Sequence, residues 1–223
     1  MVHVDFREER IVPPGLGSAT MRLVQNHEFT PPPALQALLS RHSLGPRWMV
    51  APGPSHAELQ QAVRAALHGP DHGRMQPWRV VIVPPEQRAA LAELFAQFAT
   101  EDGKSEEEIQ AERERAHNGP VLVAWVAHIL DEQRVPPHEQ WIAVGTAIGN
   151  FMNAVHFMGY GAKMLSGRKC RHPALVQAFC EAGEVLVGFT GMGTPTKQLE
   201  PRDTDRPDER LSVWRAPGEP PKS

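Results

Sequence analysis

The segment from Trp141 to Met158 constrains the fold more than any other stretch of the chain. Trp141, Val144, Ile148, Met152 and Val155 recur at helical spacing, and Ile142, Ala143, Ala147, Phe151, Ala154 and Phe157 fill most of the other positions. A helix that is apolar nearly all round has to be buried nearly all round. Only Thr146, Asn150 and Asn153 draw a thin polar line, at i, i+4 and i+7. The remaining surface must meet protein, either in the core of its own subunit or on a partner.

Shorter elements surround this helix. A short helix is expected from Ala34 to His42. Ser55 and Glu58 form a capping box, and Leu59, Val63, Ala66 and Leu67 follow at helical spacing until Gly69-Pro70 ends the run. Trp78 to Val83 reads as a buried strand, and Pro84-Pro85 opens a helix that presents Leu91, Leu94, Phe95 and Phe98. Ser105 to Glu108 caps a strongly charged helix running to about Ala116, whose charged face is expected to be solvated. Further strands are expected at Pro120 to Ile129, Ala162 to Leu165 and Val185 to Thr190, with a helix at Pro173 to Phe179. The last strand runs into Gly191-Met-Gly193-Thr194-Pro195. Long, irregular crossovers between these elements predict an α+β fold rather than a strict βαβ repeat.

Composition bounds the function. With 223 residues and a net charge of -3, the chain suits one domain and lacks the concentrated basic surface of a nucleic-acid binder. No apolar run approaches the roughly 20 residues that span a bilayer, and no signal-peptide core opens the sequence. Two cysteines outside any C-x-x-C pair suit a reduced, cytoplasmic chain. Pro13, Pro14, Gly15, Gly17 and the Pro31-Pro32-Pro33 run mark residues 1–33 as a leader, with Met21 an alternative start. Residues 34–200 form the expected domain, and 201–223 an extended arm and tail.

Four clusters could carry chemistry. Ser40-Arg41-His42-Ser43, with Arg47 nearby, offers donors for a phosphate or a solvated helix end. The stretch from His68 through Gly69, Pro70, Asp71 and His72 to Gln76-Pro77-Trp78 lies between a helix and a strand. There it builds either a structural turn or a site, while Gly69-Pro70 breaks the single-helix geometry an i, i+4 histidine pair would use on a metal. Lys163-Met164-Leu165-Ser166-Gly167 ends a strand, and the glycines from Gly188 to Gly193, before Lys197, allow close backbone approach to a ligand or an ordinary turn. No nucleophile elbow, phosphate-binding loop or dinucleotide fingerprint is present.

Together the four clusters resemble one family. Arg41-His-Ser43, then Gly69-Pro70-Asp71-His72 to Gln76-Pro77-Trp78-Arg-Val80, then Trp141-Ile-Ala-Val-Gly145-Thr-Ala147-Ile-Gly-Asn150, then Gly191-Met-Gly193-Thr194-Pro195 follow the outline of FMN-dependent nitroreductases. The Pro-Asp-His loop and the segment from Arg206-Pro207-Asp208 to Trp214 resemble the compact bacterial branch of NAD(P)H nitroreductases. The resemblance covers residues 34–214. It implies a nitroreductase-like α+β fold, with helices flanking a mainly antiparallel sheet. It also implies an obligate homodimer with an exchanged C-terminal arm and two FMN sites at the subunit interface.

Carried over by residue, the resemblance places Arg41, His42 and Ser43 on the FMN phosphate and ribityl chain, and His68, His72 and Gln76 on ribityl or flavin. Met164, Leu165 and Ser166 would line the ring, and Lys197 would reach the phosphate with Arg206. Ala154, Val155, His156, Phe157, Met158 and Gly159 would border the NAD(P) and substrate entrance. The expected activity is ping-pong reduction of nitroaromatic, quinone or similar small-molecule acceptors, with NADH or NADPH as donor, no metal and no side-chain nucleophile. Three departures stand out. His68 replaces a common arginine, Met164-Leu165 replaces a common Trp-Arg, and Arg47 is displaced by an extra residue. These leave open a same-fold flavoenzyme acting as dehalogenase, azoline oxidase or flavin-fragmenting enzyme, and a flavin-poor binding or regulatory dimer.

Overall fold

In the computed structural model, the described residues are 30–131, 134–197, 206–214 and 217. The chain divides into Met1–Pro32 and Pro33–Ser223, and the architecture below is that of the second unit. Most of the expected leader and the tip of the expected arm lie outside the described residues.

Local signals set most element ends. Helix α1 (Pro33–Leu39) begins on the last proline of the triplet, and a short strand β1 (Met49–Val50) follows. Helix α2 (His56–Ala66) starts on the Ser55/Glu58 capping box, in which the Ser55 hydroxyl accepts from the Glu58 N–H and the Glu58 carboxylate accepts from the Ser55 N–H. Strand β2 (Trp78–Val83) is followed by α3 (Arg88–Glu101) and α4 (Glu106–Arg115), the latter on the second capping box. Strand β3 (Val121–His128) leads to the long helix α5 (Pro137–Phe157). Then come β4 (Gly161–Leu165), α6 (Pro173–Phe179) and β5 (Glu184–Pro195).

The five strands form one sheet in the order β1-β5-β3-β2, and every ladder is antiparallel. Strands β4 and β1 sit in tandem along one edge of β5, pairing with Phe189–Gly193 and Thr194–Pro195. Beyond β4, Ser43 makes a parallel bridge to Ala162, and the Leu44 N–H donates to the Ala162 carbonyl at 3.1 Å. The sheet therefore carries the segment after α1 on its outer margin. Where β5 slips register against β3, a Cβ at Gly188 would lie 2.6 Å from the Leu165 carbonyl, so only glycine lets β4 and β5 close there.

Two layers cover the sheet. On one face, α3 and α6 pack Phe95 and Phe179 edge-on against Phe189 at 5.4 and 5.3 Å. On the other, α2 and α5 cover Trp125, which meets Phe151 edge-on at 5.1 Å and donates its indole N–H to Thr190. Gln140 is buried on α5 and spends its amide on the Leu130 N–H, the Leu130 carbonyl and the Val135 carbonyl.

Two expectations need correction, and one is narrowed. The charged helix α4 is not uniformly solvated, because Glu112 turns inward. It takes Lys104 at 2.8 Å and Lys169 at 3.0 Å, with Arg115 also paired to it, and Lys169 lies over the Phe95 ring at 3.9 Å. Helix α5, expected to meet its own core or a partner, is covered by its own subunit on one side only. Ala143, Val144, Ala147, Phe151 and Val155 are buried, whereas Ile142 is 59% and Phe157 53% exposed, and Gly145 and Gly149 have open space where a side chain would stand. The Gly191–Pro195 motif does not follow the last strand but forms its end, since Thr194 and Pro195 pair with β1.

Candidate functional site

The first cluster gathers where β4 begins and β5 ends. Helix α1 docks on the C-terminal end of α5 through His156, whose Nε2 lies 3.0 Å from both Ser40 Oγ and the Ala37 carbonyl. The Ser40 hydroxyl donates to that same carbonyl at 2.8 Å, so the imidazole N–H is the donor to the pair. Burial, helped by the neighbouring charge of Arg41, pushes the His156 pKa down against the hydrogen bond to the Ala37 carbonyl. His42 Nε2 is buried with no hydrogen-bond partner among the described residues.

At the same end of the sheet, Arg47 and Lys197 both lie over the Trp48 ring, at 5.2 and 5.5 Å from its centroid. The β1–β5 ladder makes this juxtaposition, and Thr196 donates its N–H to the Trp48 carbonyl at 2.9 Å. Arg41, Arg47 and Lys197 have no carboxylate partner among the described residues. Like charges gathered without counter-charge suit an anion. Arg47 stands in this group although an extra residue displaces it from the common spacing. The pairing of Met49 with Pro195, which returns it beside Lys197, has no sequence signal in a two-residue strand.

Strand β4 leads away from this corner, from Ala162 to Ser166 over about 13 Å at the usual strand rise. Met164 belongs to the α2/α5 side and receives the Thr190 hydroxyl at 3.4 Å. Leu165 points to the opposite face and packs into the α3/α6 core, so it presents backbone rather than side chain to anything beside Met164 and Ser166. Val155 is likewise sealed in the core, whereas Phe157 and Gly159 are exposed.

The second cluster lies elsewhere. The loop from Asp71 to Pro77 sits at the N-terminal end of α5, where His72 Nδ1 meets Glu139 Oε2 at 2.5 Å. Glu139 and His156 are 17 residues apart on one straight helix, or about 25 Å at the helical rise. One subunit therefore does not bring His72 and Gln76 together with Arg41 to Ser43. His68 is exposed one turn beyond α2, and Arg206 is exposed at the start of a short 3-10 turn, Pro207–Glu209. A cleft of about 360 Å³ between α2 and β2–β3 has Leu59, Val63, Arg64, Val80 and Phe151 in its lining and includes none of the expected residues.

The nitroreductase family model matches residues 39–194, a span that begins just before Arg41 and ends within the β5 motif. The chain belongs to the nitroreductase family. That membership bears out the expected family and an oxidoreductase enzyme. A relative from Escherichia coli strain K12, named "Putative NAD(P)H nitroreductase YdjA", is 30% identical over 163 residues, covering 73% of this chain and 88% of that protein. Among solved structures, a nitroreductase-like family protein from Bacillus cereus superposes with a TM-score of 0.70 at 18% identity, covering 84% of this chain and 99% of that one. A nitroreductase from Desulfovibrio desulfuricans, solved in complex with FMN, gives 0.62 at 18% identity, with 84% and 100% covered. The expected nitroreductase-like fold is thus the observed one. No helix among the described residues is long and apolar enough to cross a membrane, and none of their acidic, histidine and cysteine side chains form a group fit to hold a metal.

Proposed function

We propose that the protein is an FMN-dependent NAD(P)H oxidoreductase that reduces nitroaromatic, quinone or similar electron-poor acceptors, acting as a homodimer. Family membership and the NAD(P)H nitroreductase name of the E. coli relative support the activity, and the FMN-bound D. desulfuricans neighbour supports the cofactor. The observation that carries the proposal for this chain is its set of unpaired cations. Arg41, Arg47 and Lys197 stand at one end of β4 without carboxylate partners among the described residues, and the apolar Met164 stands at the other. That layout fits a molecule with an anionic tail and a flat apolar ring.

FMN, when bound, supplies the redox chemistry, taking a hydride from NADH or NADPH and passing electrons to the acceptor in alternate half-reactions. The protein's own residues bind, orient and exclude. Arg41 and Lys197, with Arg47, neutralise the phosphate, and Ser43 adds a hydroxyl donor. Met164, the Leu165 backbone and Ser166 would line the ring. Phe157, exposed beside Gly159, offers an aromatic surface on which a planar acceptor can lie.

His72 and Gln76 join this site from the partner subunit. Along the uncovered stripe of α5, Ile142, Gly145 and Gly149 recur at helical spacing around the helix midpoint. Two such stripes packed antiparallel about a two-fold axis set the N-terminal end of one α5 beside the C-terminal end of the other. His72 of the partner subunit then faces Arg41, across the 25 Å gap that a single subunit leaves open. Exchange of the C-terminal arm, which the resemblance implies, would add Arg206 as a further cation. The test is the absorbance spectrum of purified protein, before and after adding FMN, followed by NADH and NADPH oxidation with and without a nitroaromatic or quinone. A yellow protein whose acceptor reduction shows parallel double-reciprocal lines supports the proposal. A protein that neither holds nor takes up FMN overturns it.

A further inference from the structure

The Asp71–Pro77 loop follows a strained, left-handed course. Gly73, Arg74 and Gln76 have φ values of 75, 53 and 46°. Two of the three carry side chains, for which the left-handed region is unfavourable. Strain of this kind persists only where surrounding structure over-determines it. Packing does not supply that hold, because His72, Arg74 and Gln76 are exposed. The hold comes from one side chain. The Asp71 carboxylate accepts the Met75 N–H at 3.2 Å on one oxygen and the Gln76 N–H at 2.7 Å on the other, while the Asp71 carbonyl accepts the Arg74 N–H at 3.1 Å. The loop also abuts α5, where a Cβ on Gly73 would lie 3.2 Å from Val135, just before the helix.

The groups so displayed are left unsatisfied. Gln76 carries an exposed side-chain amide with no hydrogen bond among the described residues, and Glu139 engages the exposed His72 through Nδ1, leaving Nε2 without a hydrogen bond among those residues. We infer that Asp71 is a positioning residue: its carboxylate locks the loop in a left-handed course that presents His72 Nε2 and the Gln76 amide to the flavin, with Glu139 setting the imidazole plane. The inference rests on the FMN reading above.

Two measurements test the inference, and the first needs no cofactor. In flavin-free protein, Asp71→Ala should speed amide hydrogen exchange at Met75 and Gln76 by about tenfold or more, as expected when a protected N–H loses its acceptor, without speeding exchange in β3 or β5. Unchanged exchange overturns the inference. In the second, Asp71→Ala should weaken FMN binding about tenfold and flatten the visible circular dichroism of the bound flavin. Adding Arg74→Gly, which removes the penalty at one strained position, should restore part of that loss, whereas Arg74→Gly alone should bind as wild type. Should Asp71→Ala not fold, Asp71→Asn keeps one acceptor oxygen and should show a smaller change in the same direction. Wild-type protein that binds FMN, together with an Asp71→Ala variant that binds it equally well, overturns the inference alone. Wild-type protein that binds none overturns the FMN reading and this inference with it.

Discussion

The two layers on the sheet are built to different standards. The α3/α4/α6 layer closes on itself: Phe189 is sandwiched by two aromatic rings, Glu112 is matched by cations, and buried Arg88 gives its guanidinium to the Val83 and Ala116 carbonyls. The α2/α5 layer covers its side of the sheet equally well but leaves its outer surface incomplete. There the described residues include exposed Ile142 and Phe157, a strained loop and cations without counter-charge. Departures from local consistency mark where a molecule acts rather than where it is held together. The comparison assigns stability to the first layer and binding to the second.

The largest effects should therefore come from the closed layer. Phe189→Ala empties the centre of an aromatic cluster and should lower unfolding free energy by about 3–5 kcal/mol in urea titration. A loss below about 1 kcal/mol would place the core elsewhere. Glu112→Ala strands the buried Lys169 ammonium and should cost about 3 kcal/mol. The same pair gives a pH signature. Burial raises the Glu112 pKa, but hydrogen bonds from Lys104 and Lys169 outweigh it and hold the carboxyl below its ordinary value of 4.5. With the folded value below the unfolded one, the contribution is complete at neutral pH and is lost as pH falls through the folded value. Acid titration of Glu112→Gln should show a shallower decline than wild type.

Substitutions on the open layer should leave subunit folding nearly intact and alter association or binding. Arg41→Ala and Lys197→Ala should each weaken FMN binding by about tenfold or more, the scale of one charge-assisted hydrogen bond, with unfolding midpoints shifted little. Ile142→Glu should move sedimentation from dimer toward monomer while far-ultraviolet circular dichroism stays native. The smallest expected signal is local. Arg79, by hydrogen bonding, depresses the Glu184 pKa to about 2, so the stabilisation from this pair is present above the ordinary glutamate range and disappears as pH falls toward 2. A Glu184 carboxyl resonance that titrates near 4.5 would contradict that pairing.

How much of this was legible in the sequence depended on the range of the cause. Trp78–Val83 and Pro173–Phe179 are bounded as read, because turn residues or prolines punctuate them at both ends or at the start. Helix α5 begins four residues earlier than its apolar pattern, at Pro137, since His138 and Glu139 hide the first turn. Strand β1 is too short to carry a pattern, and its pairing with β5 is what returns Arg47 to Lys197. The inward turn of Glu112 depends on Lys169, 57 residues away, so periodicity within α4 could not show it. Each site motif is a local string, ambiguous alone and recognisable only through the order of all four along the chain. Their grouping at opposite ends of α5 is tertiary, and no spacing within the sequence encodes it.

The composite site is tested most directly by mixing two inactive variants. Arg41→Ala and His72→Ala should each bind FMN poorly. If each site draws Arg41 from one subunit and His72 from the other, a mixed dimer holds one fully intact site and one doubly damaged site. Unfolding and refolding the two variants together at equal concentration should then restore wild-type affinity at about a quarter of the sites, because half the dimers are mixed. Titration that finds no high-affinity FMN fraction after mixing, although each variant refolds alone to a dimer, would place Arg41 and His72 of a site in the same subunit and contradict the account.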